Sequence, residues 1–63
     1  MEAHQQRVVD EKKELDDKIE KLAKFFSTPL FDSLDSKEQR LMNRQIFAMN
    51  IYSRILGERI AGF

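Results

Sequence analysis

Cysteine and tryptophan are missing from this 63-residue chain, proline and histidine occur once each, and glycine only twice. Without cysteine there is no disulfide and no thiolate metal centre. The usual staples of a very small domain are therefore absent, which leaves subunit association as the expected substitute for a large core. The same absence fits a reducing compartment. A single histidine excludes a histidine pair at metal spacing, and no glycine-rich phosphate loop exists. No nucleophile has a partner base, so the expectation is a protein that is not an enzyme, with no catalytic residue, no metal and no cofactor.

Excess charge of one sign is lacking too. Eleven basic and eleven acidic residues give a formal net charge of +0, with 35% of the chain charged. A nucleic-acid polymer is gripped through its phosphates by a broad basic face, and that face is not provided here. A small anionic ligand needs only a few well-placed cations. No apolar run approaches the ~20 residues that cross a bilayer, so no membrane partner is expected. The start, Met1 to Gln6, is polar rather than signal-like. There is room for one domain, residues 1–63.

What the chain does have is helical periodicity. Val8, Leu15, Ile19, Leu22 and Phe26 form a narrow apolar seam between Glu2 and Phe26, flanked by opposite charges four apart: Glu14 with Lys18, Asp17 with Lys21, Glu20 with Lys24. Thr28-Pro29 stops that helix and starts another, since proline disfavours helix in the residue before it yet suits a first helical position. Pro29 to Leu34 reads as one short turn with Leu30, Phe31 and Leu34 inward. Asp35 or Ser36 then caps a second long helix that runs to about Ala61, with Glu38 or Gln39 reaching back.

The second helix is greasy around too much of its circumference. Between Leu41 and Ile60 its apolar residues span well over half of the wheel at ~100° per residue. A hairpin partner covers only part of that. The expected fold is therefore all-α: an antiparallel two-helix hairpin with a short helical turn in the connection, assembling into a helical homo-oligomer. Antiparallel packing sets His4, Arg7 and Val8 near Leu56, Arg59 and Ile60.

Polar residues that intrude on apolar faces are the candidates for function. Arg59 projects close to Tyr52 and Ile55, where a lone cation calls for a carboxylate, such as Glu58 or a neighbour's Glu11, or for an anion at a subunit seam. Its planar fork suits a phosphate, and the Tyr52 ring could stack on a base. Lys12 lies in the seam of helix one, where its stem can cover apolar surface while the ammonium reaches water. Ser27 and Thr28 precede a helix start, which is a place for a cap or for a phosphate. His4 sits on the core line of helix one, as a packed residue or as a ligand. Gly57 costs roughly 1 kcal/mol against alanine inside a helix, so it is either tolerated or marks a close approach by another element.

The pattern Arg7-Val8-Val9, Glu11-Lys12, Glu14-Leu15-Asp16, Lys18-Ile19, Lys21-Leu22 and Phe25, followed by Phe31 and Leu34, and then by Gln45, Met49, Tyr52-Ser53 and Leu56-Gly57-Glu58-Arg59-Ile60-Ala61, resembles the helical-hairpin domain of phage anti-defence sponges. That family comprises the anti-CBASS and anti-Thoeris sponges, and the resemblance covers nearly the whole chain. It implies a protein that sequesters cyclic oligonucleotide alarm molecules in the cytoplasm of the infected bacterial host. It also implies a hexamer with separate pockets between protomers for cyclic dinucleotides and cyclic trinucleotides. Carried onto this chain, Arg59 is the first phosphate ligand and Arg7 the second. Ser27, Thr28 and Lys12 are weaker candidates for a second pocket. Helix one has no tyrosine to stack on a base. Two rival classes stand beside this one: a helical adaptor whose apolar face docks on another protein, and a small DNA-binding regulator, for which Arg40, Arg44 and Arg54 offer only a sparse recognition face.

Overall fold

The computed structural model describes residues 1–63 as three helices: α1 Ala3–Phe25, α2 Pro29–Asp32 and α3 Ser36–Ala61. The long helices pack antiparallel, as a short connection dictates. Val8 of α1 clusters with Leu56 and Ile60 near one end, Lys12 meets Ser53 further along, and Leu15 and Ile19 lie toward Met49. The molecule measures 45 × 15 × 13 Å between Cα atoms. It is one helix pair thick, so any side chain that does not face the other helix faces water.

Local sequence explains each boundary. The Glu2 N–H donates to Gln5 Oε1 (3.0 Å) at the start of α1. At the far end Thr28 serves both helices: its hydroxyl donates to the Phe25 carbonyl (2.7 Å) and accepts from the Phe31 N–H (3.3 Å), with Pro29 at the first position of α2. Asp35 caps α3 by accepting from the Glu38 N–H at 2.8 Å. The Gln39 side chain does not reach back to the cap. It donates to the Phe31 carbonyl instead, at 2.9 Å, and ties α2 to α3. Of the charge pairs four apart, Asp17 with Lys21 and Glu20 with Lys24 form, while Glu14 and Lys18 do not.

The turn carries its own small aromatic cluster, in which Phe31 meets Phe26 edge-on (4.8 Å between centroids) and Phe25 at 6.1 Å. Phe31 and Leu34 are half-buried, as expected. Leu30 is not: it is 62% exposed. A helix of four residues has one inward side, Phe31 occupies it, and the neighbouring residue lies about 100° away.

The core is thin. Only Val8, Leu15 and Leu56 are buried apolar residues, with Leu56 at 0% exposure, and Ile19, Met49 and Ile60 pack around them. His4 is a correction to its place on the core line, since it is exposed. The register that pairs Lys12 with Ser53 sets His4 level with Ala61, where α3 ends and nothing remains to cover it.

Candidate functional site

Two regions hold polar chemistry, and they lie on opposite sides of α3. The first is the seam with α1. Lys12 lays its stem against Gly57, whose missing Cβ would stand 3.4 Å from Lys12 Cε. The Lys12 ammonium donates to Asp16 Oδ2 and to Ser53 Oγ, both at 2.9 Å, and the Ser53 hydroxyl donates in turn to Asp16 Oδ1. The three groups close a ring of hydrogen bonds around Ser53, the one buried polar residue. Bonds from Ser53 first and Lys12 second hold the Asp16 carboxyl below its ordinary pKa. Lys12 thus does cover apolar surface with its stem, but its head is committed to a serine and an aspartate rather than left to water. Ser53 and Asp16 are the residues that the sequence reading passed over. The available signal was the position of Ser53 on the same wheel sector as Met49 and Leu56, the sector that faces α1.

The second region is the solvent side of α3, where Leu41, Phe47, Ile51, Tyr52 and Ile55 stand exposed, Phe47 at 68% and Tyr52 at 43%. Arg59 shares the sector of Leu41, Tyr52 and Ile55 and is exposed. It makes no ion pair, since the salt bridges of the hairpin are Lys12–Asp16, Lys21–Asp17 and Lys24–Glu20. Within the hairpin, Glu58 does not neutralise it. A guanidinium without a carboxylate, an aromatic ring two turns away and an apolar floor together suit a flat, anionic ligand.

The remaining candidates are distributed along the rod. Arg7 and His4 are exposed at the end of the hairpin where Arg59 lies. Ser27 is exposed at the opposite end, and the hydroxyl of Thr28 is consumed by its two bonds at the turn. The structure therefore brings Arg59 and Tyr52 together on one face with Arg7 and His4 at the same end. Lys12 belongs to the seam, and Ser27 and Thr28 stand apart. No three histidine, cysteine or carboxylate groups converge as a metal site, and no helix is long and apolar enough to cross a membrane.

A slender hairpin with an unpartnered, cation-bearing apolar face belongs to the class of small binding proteins that work through their surface. Comparison with known families gives the particular case: the Sequestin family model matches residues 2–62, and the chain belongs to that family. It is also 38% identical over 63 residues to the 7.5 kDa protein of the denB-rIIB intergenic region of Enterobacteria phage T4, an alignment that covers all of this chain and 98% of that protein. No solved structure matches the chain. The resemblance to phage sponges carried by Arg7 to Leu22 and Leu56 to Ile60 is thus met by a family named for sequestration. Family and relative together describe a phage-type protein that sequesters a molecule, a binding role rather than a catalytic one.

Proposed function

We propose that the sequestered molecule is a cyclic oligonucleotide second messenger, a cyclic dinucleotide or trinucleotide, and that its capture blocks CBASS-type immune signalling in the cytoplasm of the infected host. The observation that carries this reading is Arg59, a cation with no carboxylate partner in the hairpin, two turns from Tyr52 on the same exposed apolar face of a Sequestin family chain. Phosphodiesters supply the missing charge, and purine faces suit the tyrosine ring and the surrounding hydrocarbon. Arg7, at the same end of the hairpin, is the second phosphate ligand. The working form is a homo-oligomer, a hexamer by resemblance, because the exposed face of α3 is larger than the core that holds the monomer together.

Sequestration needs no chemistry on the ligand. It needs a dissociation constant well below the messenger's concentration; for a messenger near the micromolar range that corresponds to more than roughly 8 kcal/mol of binding. A panel of cyclic di- and trinucleotides tests the reading by thermal shift, since a ligand that binds only the folded assembly raises its melting point by mass action. Wild type is expected to shift with at least one of them and Arg59→Ala to lose that shift while remaining assembled. A wild type that responds to none refutes the ligand class.

A further inference from the structure

α3 offers α1 a choice of two faces. One side carries Met42, Ile46, Met49, Leu56 and Ile60, buried or half-buried, and the other carries Leu41, Phe47, Ile51, Tyr52 and Ile55, all exposed. The two sets match in number and in kind, so apolar burial alone gives α1 little reason to cover one and leave the other. The short connection through α2 fixes the level of the long helices, but a rotation of α3 about its own axis leaves that level unchanged. A further signal must choose the side.

That signal is polar. At the register set by the Lys12–Ser53 bond, with alternating spacings of three and four on both helices, Val8 is level with Leu56, Lys12 with Ser53, Leu15 with Met49 and Ile19 with Ile46. Of these four levels only Lys12–Ser53 is polar. It is fully satisfied on this side: the Lys12 ammonium donates to Ser53 and Asp16 at 2.9 Å, Ser53 donates to Asp16, and the missing Cβ of Gly57 leaves the Lys12 stem its place. No buried side-chain nitrogen or oxygen lacks a partner. With α3 turned so that its other face met α1, Lys12 would stand level with Ile51, Arg54 and Ile55, whose side chains accept no hydrogen bond, and Arg54 would add a like charge. The one carboxylate on that side, Glu58, is level with Arg7, about 7.5 Å along the axis at ~1.5 Å per residue.

We infer that the ring of Lys12, Asp16 and Ser53, seated over Gly57, selects the face of α3 that α1 covers and thereby keeps the side of Leu41, Tyr52 and Arg59 open. Its worth lies in specificity rather than in stability. The Lys12 and Asp16 side chains remain 30% and 48% exposed, so the native ring gains little net energy over water, whereas the wrong packing would close the ammonium against hydrocarbon without an acceptor. The selection holds whatever molecule is sequestered.

A chain without cysteine lets two introduced thiols report the chosen face. Ile19→Cys is combined either with Ile46→Cys, level with it on the seam side, or with Phe47→Cys, one residue further and about 100° round the helix. Two cysteines form a disulfide only when their Cα atoms come within ~7 Å and their side chains face each other. Both pairs are oxidised at high dilution and only bridges within one chain are counted, first in the otherwise native protein and then in a Lys12→Leu/Ser53→Ala background, where Asp16 stays in water. The native ring confines bridging to the Ile46→Cys pair. Without the ring the Phe47→Cys pair bridges too, at a rate within about tenfold of the other, while helix content is kept and the melting temperature does not fall. Bridging still confined to the Ile46→Cys pair overturns the inferred selection. So does a background that loses its helices or melts well below the native protein, because the ring would then hold the fold together rather than choose a face.

Discussion

Leu56→Ala removes the only side chain that the hairpin buries completely. Deleting a fully buried leucine costs ~2–5 kcal/mol, and a rod only two helices wide can relax into part of the space, so about 3 kcal/mol is expected here. For a chain of this size 1 kcal/mol moves the melting temperature by ~4–8 °C, which puts the shift at about 12 to 24 °C. Ile55→Ala, one residue away, is the informative control. Ile55 points to the solvent side of α3, so its truncation leaves the hairpin's own seam untouched and acts on association. Thermal denaturation followed by circular dichroism over a wide range of protein concentration separates the two. Leu56→Ala lowers the melting temperature at every concentration, whereas Ile55→Ala lowers it where the wild type is assembled and converges on the wild type at high dilution. A Leu56→Ala cost below about 1 kcal/mol would refute the assignment of the core to this seam.

Three further outcomes follow from the same geometry. Gly57→Ala stabilises the protein by about 0.5–1 kcal/mol, because the new methyl meets Lys12 Cε at an ordinary contact distance and alanine favours the helix; a lowered melting temperature would show that Lys12 cannot yield. The Asp16 carboxyl is held below its ordinary value by Ser53 and Lys12, so its folded pKa lies under its unfolded one. Its contribution is therefore complete above the unfolded value of ~3.9 and fades as pH falls through the folded value. Asp16→Asn should flatten the acid limb of a stability profile below about pH 4, and a carboxyl that titrates at or above the ordinary value by carbon NMR would contradict the ring. Arg59→Ala leaves chemical denaturation within about 0.5 kcal/mol of wild type, since Arg59 has no partner within the hairpin; a larger loss would make it a structural residue.

Much of this fold was legible because the responsible signals are local. Thr28-Pro29 and Asp35 act on backbone groups a few residues away, and the seam of Val8, Leu15 and Ile19 repeats with the helix itself. The excess width of the apolar face on α3 was equally visible, since it depends only on angles. Other features required the register. His4 shares the core line of α1 but outruns the end of α3, and Leu30 yields the single inward side of α2 to Phe31. Lys12 looked like a cation reaching for water until the packing set Ser53 opposite it, 41 residues away in sequence. Gly57 announced a close approach without naming it, and the neighbour is the Lys12 stem.

Capture without chemistry is measured most directly by equilibrium dialysis with recovery of the ligand. Purified protein in excess should draw a cyclic di- or trinucleotide out of the opposite chamber in proportion to the number of sites, and heat denaturation of the protein should release the same molecule unaltered. Equal concentrations across the membrane, or recovery of a linearised or cleaved product, would contradict it.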